Sequence, residues 1–451
     1  MKGCRRLLCL LLALCMAALS GCAVFKSETV EIGAEEAAPY LALTQRFLDA
    51  LFVQDYNTCL AMFAENLQNT MDKEELQEQW DAVRLTYGDA LEMDRYEAYR
   101  INGEGTILAM VTHKHGGSSV QLTFDESNAV AGLWFGMRED AVDYAVELPA
   151  GGVTEQEIML GEGTDCELRA IITRPVMSAT VSAVVLVQDS GAYDRNEAIG
   201  NCAPFADLAH GLAQRGIASI RFDKRTYTYG YDMTEEEINA MTVQQEVIDD
   251  ALLALDALEQ LGGIGDIYLV GHGMGGALAP RIAQQSGGRI AGLVSLAGTA
   301  RPYLDVVYEQ TLAMTDDASR QSAIKKEYKK ADKLDSMKDS DTIFGVPVSY
   351  IRDLYDYPVA QSLAALDVPV FIAQGKDDFQ TSLEDYKSWQ SALEGYAGET
   401  RFALYDGLNH LFAENGGVKG RGTSAEYLAE LHVSDQLLDD LADWVAQCTG
   451  K

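Results

Sequence analysis

Basic residues are scarce. The chain has 35 Lys and Arg against 69 Asp and Glu, a formal net charge of -34. No surplus of cations is left to neutralise phosphates, which excludes nucleic acid as a partner. The same balance disfavours attraction to anionic lipid surfaces. No C-x-x-C spacing occurs among Cys59, Cys166, Cys202 and Cys448, so no zinc site is expected, and no motif calls for another metal or a cofactor. Those four cysteines allow three disulfide pairings, and the sequence does not choose among them. The apolar run Leu7 to Leu19 is too short to span a bilayer as a stable helix.

The most consequential absence is one side chain. "IYLVGHGMGGALAPRIAQ", from Ile267 to Gln284, reads as a buried strand, a glycine turn and a helix. A catalytic serine is presented on such a turn as G-x-S-x-G. Here the middle position is Gly273. "GHGMGG" also fits G-x-G-x-x-G, the dinucleotide fingerprint. That reading fails on context, because the acid expected about 20 residues further on is missing: residues 285–304 contain no Asp or Glu.

What is present describes a folded chain of 451 residues, 47% hydrophobic and 23% charged, long enough for two domains. Lys2, Arg5 and Arg6 precede the short apolar run, which ends in "ALSGC". This segment resembles the bacterial lipobox. The resemblance implies a signal peptide over 1–21, lipid on Cys22, and a mature protein held to the cell membrane by acyl chains on its outer side. Residues 22–36 read as a polar linker.

Residues 37–138 show helical spacing first ("YLALTQRFLDALF", "KEELQEQWDAVRLTYG") and strand alternation afterwards, with turns at Gly116-Gly117 and Ser127-Asn128. That order predicts a small α+β domain. His113 and His115 are expected on one solvated strand face, without the third ligand a metal would need. The stretch resembles the DUF3887 domain, related to cystatin/NTF2-like folds.

From residue 141 to 451 the pattern becomes α/β: a leading hairpin, then continuous apolar strands alternating with helices, as in a doubly wound, mainly parallel sheet. Residues 302–365 interrupt it with a charged helical insertion. About 300 residues now resemble the α/β-hydrolase fold. "GHGMGG" matches its G-H-S-M-G-G except at Gly273, "QGKDDF" puts its acid on Asp378, and "DGLNHLF" its histidine on His410. Asp377 is the alternative acid. "VQDSGAYDR" resembles the loop giving one oxyanion N–H, near Ser190 and Gly191, with the second from Met274. Ser190 lies on the oxyanion side and is a poor stand-in nucleophile. "GLAQRGIASIRFDKRTYTYG" resembles the serine aminopeptidase (S33) branch.

The resemblance implies a serine hydrolase of carboxylic esters or small amides, with the insertion as a cap over a small-molecule site. Tyr303, Tyr350, Tyr355 and Tyr357 are candidate pocket walls. Glycine cannot attack an acyl carbon, so fold and pocket should outlast the acyl-enzyme route. The second reading is an inactive pseudo-hydrolase that binds a ligand or protein partner at the cell surface. On the first reading, Gly273→Ser should install an activated nucleophile.

Overall fold

The computed structural model describes residues 29–138, 142, 144–176 and 180–449. The signal segment and Cys22 lie outside the described residues. Eight strands form the central sheet. In spatial order they are Val153–Leu160, Leu168–Pro175, Ala218–Phe222, Val181–Val187, Ile264–His272, Ile290–Leu296, Val370–Gly375 and Thr400–Tyr405. The first two form an antiparallel hairpin whose second strand runs antiparallel to Ala218–Phe222. All later pairings are parallel. The central parallel strands Val181–Val187, Ile290–Leu296 and Val370–Gly375 are mainly apolar because helices cover both faces. One core cluster lies on each side of the sheet, around Leu269 and Ile220 on one face and Tyr268 and Val294 on the other.

The insertion between Ile290–Leu296 and Val370–Gly375 is largely helical, as its sequence predicts. It also contains a two-residue hairpin, Thr342–Ile343 with Val346–Pro347. Leu304, Leu334, Ile343, Val348 and Ile351 give it a core of its own. The C-terminal segment is split into a short 3₁₀ turn, Ser424–Leu428, and the helix Asp435–Cys448. The break has a cause. The Glu426 carboxylate accepts bonds from Asn409, Asn415 and the Gly422 N–H, which fasten the turn to the histidine loop.

Ahead of this sheet, a five-stranded antiparallel sheet packs against the helices Ala34–Phe52 and Lys73–Tyr87. Two corrections arise here. The linker expected over 22–36 is structured from Thr29, because Thr29–Glu31 pairs with Tyr99–Ile101 and the first helix starts at Ala34. The histidines are not on a solvated face. The strand ends at His113 and turns through Lys114 and His115, so the two rings do not share a face. His113 is fully buried between Trp80 and Tyr87, bonded to Gly88 O and Ser118 Oγ. His115 packs at a tilt against Tyr144 and donates to Gly200 O at 2.9 Å, joining the small domain to the large one. Asn201 reinforces the join by accepting the Asp89 N–H. Among the described residues, Cys59, Cys166, Cys202 and Cys448 form no disulfide.

Candidate active site

The strand Ile264–His272 delivers the chain to Gly273, which adopts φ 50° and ψ -115° and opens the helix Met274–Gln285. That is left-handed, strained backbone that glycine tolerates far better than other residues. The crossing is tight on the sheet side as well: a Cβ on Gly275 would lie 2.2 Å from Val187 O. The backbone of the turn is therefore complete, and only the side chain at 273 is missing.

Its place is taken. A Cβ built on Gly273 would lie 2.1 Å from Asp189 Cγ. Asp189 follows the strand Val181–Val187 by two residues, and its carboxylate fills the space over the turn. Asp189 Oδ1 accepts the Met274 N–H at 2.6 Å and the Ser190 N–H at 2.7 Å. The sequence names these two N–H groups as an oxyanion pair, and the structure brings them together on one oxygen, which belongs to the chain itself. Gly191, with φ 116°, turns the loop.

His410 and Asp378 are also brought together. Asp378 follows the strand Val370–Gly375, and His410 lies in the loop after Thr400–Tyr405. His410 Nδ1 donates to Asp378 Oδ2 at 2.8 Å, and Nε2 faces Asp189 Oδ2 at 3.3 Å. Asp378 is fully buried and accepts further bonds from the Gln380 N–H, the Thr381 N–H and hydroxyl, and Gln374. The alternative acid, Asp377, is instead paired with the exposed Arg421.

Both ring nitrogens of His410 face carboxylates, so both carry protons. Burial opposes the charge, but Asp378 and Asp189 outweigh it and lift the pKa to about 10. Asp189 moves the other way: burial would raise it, yet His410, His272 and the Met274 N–H hold it well below the ordinary carboxylate range. The stability that His410 contributes is complete below its ordinary value of 6.5 and is lost as pH rises through about 10. The urea midpoint should therefore fall between about pH 6 and about pH 10, and Asp189→Asn should shrink that fall. Equal slopes in the two proteins would contradict the pairing.

Sequence reasoning missed Asp189, although it adjoins Ser190 in the quoted loop. It also missed the buried support beneath. Glu197 accepts the Asp189 N–H at 2.6 Å and meets His272 Nδ1 at 3.0 Å, while His272 Nε2 donates to His410 O at 2.9 Å. Lys224 Nζ donates to Asp189 O at 3.1 Å. Of the four cap tyrosines, two reach the site. Tyr350 donates to Glu246 and contacts Met274 Sδ, and Tyr303 is half-buried within electrostatic range of Asp189. Tyr355 instead packs within the cap, and Tyr357 lies exposed beneath Arg281.

Comparison with known proteins finds relatives of this arrangement. Residues 198–415 match the family described as serine aminopeptidase, S33. The esterase EstD of Thermotoga maritima is 29% identical over 407 residues, covering 89% of this chain and 94% of its own. Among solved structures, ferulic acid-bound Est1E from Butyrivibrio proteoclasticus has 15% identity and a TM-score of 0.43, covering 65% of this chain and 100% of its own. A puromycin-hydrolyzing peptidase of Mycobacterium tuberculosis has 15% identity and a TM-score of 0.44, covering 76% of this chain and 46% of its own. Residues 198–415 are thus similar to the serine aminopeptidase, S33, family, and the mostly parallel eight-stranded sheet that carries them is of the α/β-hydrolase type.

Proposed function

We propose that this chain is a lipid-tethered, extracytoplasmic hydrolase-family protein whose serine route of acyl transfer is closed. Its lineage is that of enzymes acting on small esters or amides. The observation that carries the reading is the Asp189 carboxylate seated over Gly273. It removes two requirements together. No hydroxyl is available to attack an acyl carbon. Nor can a substrate carbonyl oxygen enter the two N–H groups without displacing a carboxylate bound at 2.6 and 2.7 Å. Asp378 and His410 keep the geometry of an acid–histidine pair, so the site keeps its proton-handling half and lacks its acyl-accepting half. The tether rests on "LSGC" ending at Cys22.

A fluorophosphonate serine probe should leave the unaltered chain unlabelled at every residue of this site. A phosphonyl adduct there, located by peptide mass spectrometry, would overturn the closed route. Mass measurement of the mature N-terminus should find diacylglycerol on Cys22, and an unmodified Cys22 or an uncleaved signal would remove the tether.

A further inference from the structure

We propose that Asp189 is itself a nucleophile for saturated carbon: the site takes a small neutral molecule whose sp³ carbon carries a leaving group, and the reaction passes through an alkyl ester of Asp189. The inference rests on the reading that the serine route is closed, and it names a substrate class for the same site.

The direction of the hydrogen bonds decides the class. Carboxylates serve as nucleophiles in covalent catalysis. Had Asp189 been arranged to attack an acyl carbon, the oxyanion N–H groups would be vacant for the substrate's oxygen. They are instead bound to Asp189 Oδ1, at 2.6 Å from Met274 N and 2.7 Å from Ser190 N. Attack on saturated carbon creates no oxyanion on the substrate, so nothing is lost by that arrangement. The N–H pair is used in the second step, when Asp189 Cγ is the carbon attacked.

The other oxygen is the reactive one. Oδ2 meets His410 Nε2 at a long 3.3 Å, and the Asp189 side chain keeps 18% of its surface exposed, whereas Asp378 keeps none. One carboxylate is therefore within reach of a ligand, and the other is sealed behind the imidazole. Tyr303, half-buried in the cap and within electrostatic range of Asp189, has its phenol pKa raised by burial and by the charges of Asp189 and Glu246.

In the first step an electron pair of Oδ2 forms the C–O bond while the carbon–leaving-group bond breaks, the leaving group taking its electron pair. Esterification makes Asp189 neutral. His410 then faces one carboxylate instead of two, its basicity falls, and its Nε2 proton passes to solvent. In the second step Nε2 takes a proton from water, and the hydroxide adds to Asp189 Cγ. Negative charge gathers on Oδ1 between the Met274 and Ser190 N–H groups. Collapse breaks the Cγ–Oδ2 bond. The alkoxide leaves with Oδ2 and receives the His410 proton, and a carboxylate carrying one water oxygen is restored. The sum is an alkyl compound plus water giving an alcohol plus the protonated leaving group, with no oxidant or further reactant.

1-Bromobutane and the full-length chain provide the test. Bromide release should fall on the order of 10³-fold in Asp189→Asn, which keeps the side-chain volume. His410→Gln should accumulate a butyl adduct that peptide mass spectrometry places on Asp189. A single turnover of the unaltered chain in ¹⁸O-water should put the heavy oxygen into Asp189 and leave the butanol unlabelled, a readout that needs no variant to fold. Heavy oxygen in the alcohol with none in Asp189, or equal release from Asp189→Asn, would overturn the proposal. Silence toward bromobutane without fluorophosphonate labelling would sink the nucleophile alone. A fluorophosphonate adduct would sink the closed-serine reading on which it rests.

Discussion

Gly273→Ser alone is expected to leave ester hydrolysis unchanged, and Gly273→Ser combined with Asp189→Gly to raise it on the order of 10³-fold. The sequence predicts that the single change is enough. The structure corrects this, because the new Cβ would arrive 2.1 Å from Asp189 Cγ and 2.1 Å from its Oδ1. That approach is less than a van der Waals contact, so the carboxylate must leave its two N–H donors or the turn must open. Either response costs about 1–3 kcal/mol. The single variant should therefore melt lower and still refuse a fluorophosphonate probe. Removing the Asp189 side chain clears the space and frees the Met274 and Ser190 N–H groups together. His410 Nε2, which now faces Asp189 at 3.3 Å, would face the new hydroxyl. Initial rates on a short-chain 4-nitrophenyl ester, with probe labelling of residue 273, check the pair of variants. Turnover by Gly273→Ser alone would show that Asp189 yields its position easily. Silence from the double variant would show that more than these two side chains separates the site from a serine hydrolase.

The fold was legible because burial on both faces makes parallel strands unmistakable. Val181–Val187, residues 267–270 within Ile264–His272, and Ile290–Leu296 are each a mainly apolar run. Asp378, His410 and Met274 were legible because each follows a strand end at a position that the topology fixes. Asp189 was not legible, because a carboxylate beside Ser190 looks like any loop acid until three-dimensional distance sets it over residue 273, 84 positions away in the chain. The side chain missing at one strand end is replaced from a neighbouring strand's end, and no pattern along the chain records that exchange. His113 and His115 fail for a related reason. Alternation assigned them to an outward face, but the turn begins two residues early, and Trp80 and Tyr144 supply the cover. The split final helix depends on Glu426, whose partners Asn409 and Asn415 lie in another loop.

In the background of the restored serine, Asp378→Asn should lower turnover by about 10⁴, the loss expected when the carboxylate of a Ser-His-Asp triad becomes an amide. The geometry gives the cause. Asp378 Oδ2 now accepts from His410 Nδ1 at 2.8 Å, which leaves Nε2 to exchange a proton with whatever occupies the turn. An amide at 378 would keep its carbonyl toward the N–H groups of Gln380 and Thr381, which hold Oδ1 at 2.7 and 2.9 Å. Its NH₂ would then point at His410 Nδ1 and stabilise the tautomer protonated on Nε2, which cannot take the serine proton. Packing should barely change, since the volume is kept, so stability and substrate KM should move far less than kcat. Asp377→Asn serves as the control: its carboxylate pairs with Arg421 at the surface, away from the imidazole, and activity should stay within about twofold. If the Asp377 variant lost the activity and the Asp378 variant kept it, the acid would be assigned to the wrong neighbour. Equal losses would point to a loop that holds His410 as a unit instead of through one oxygen.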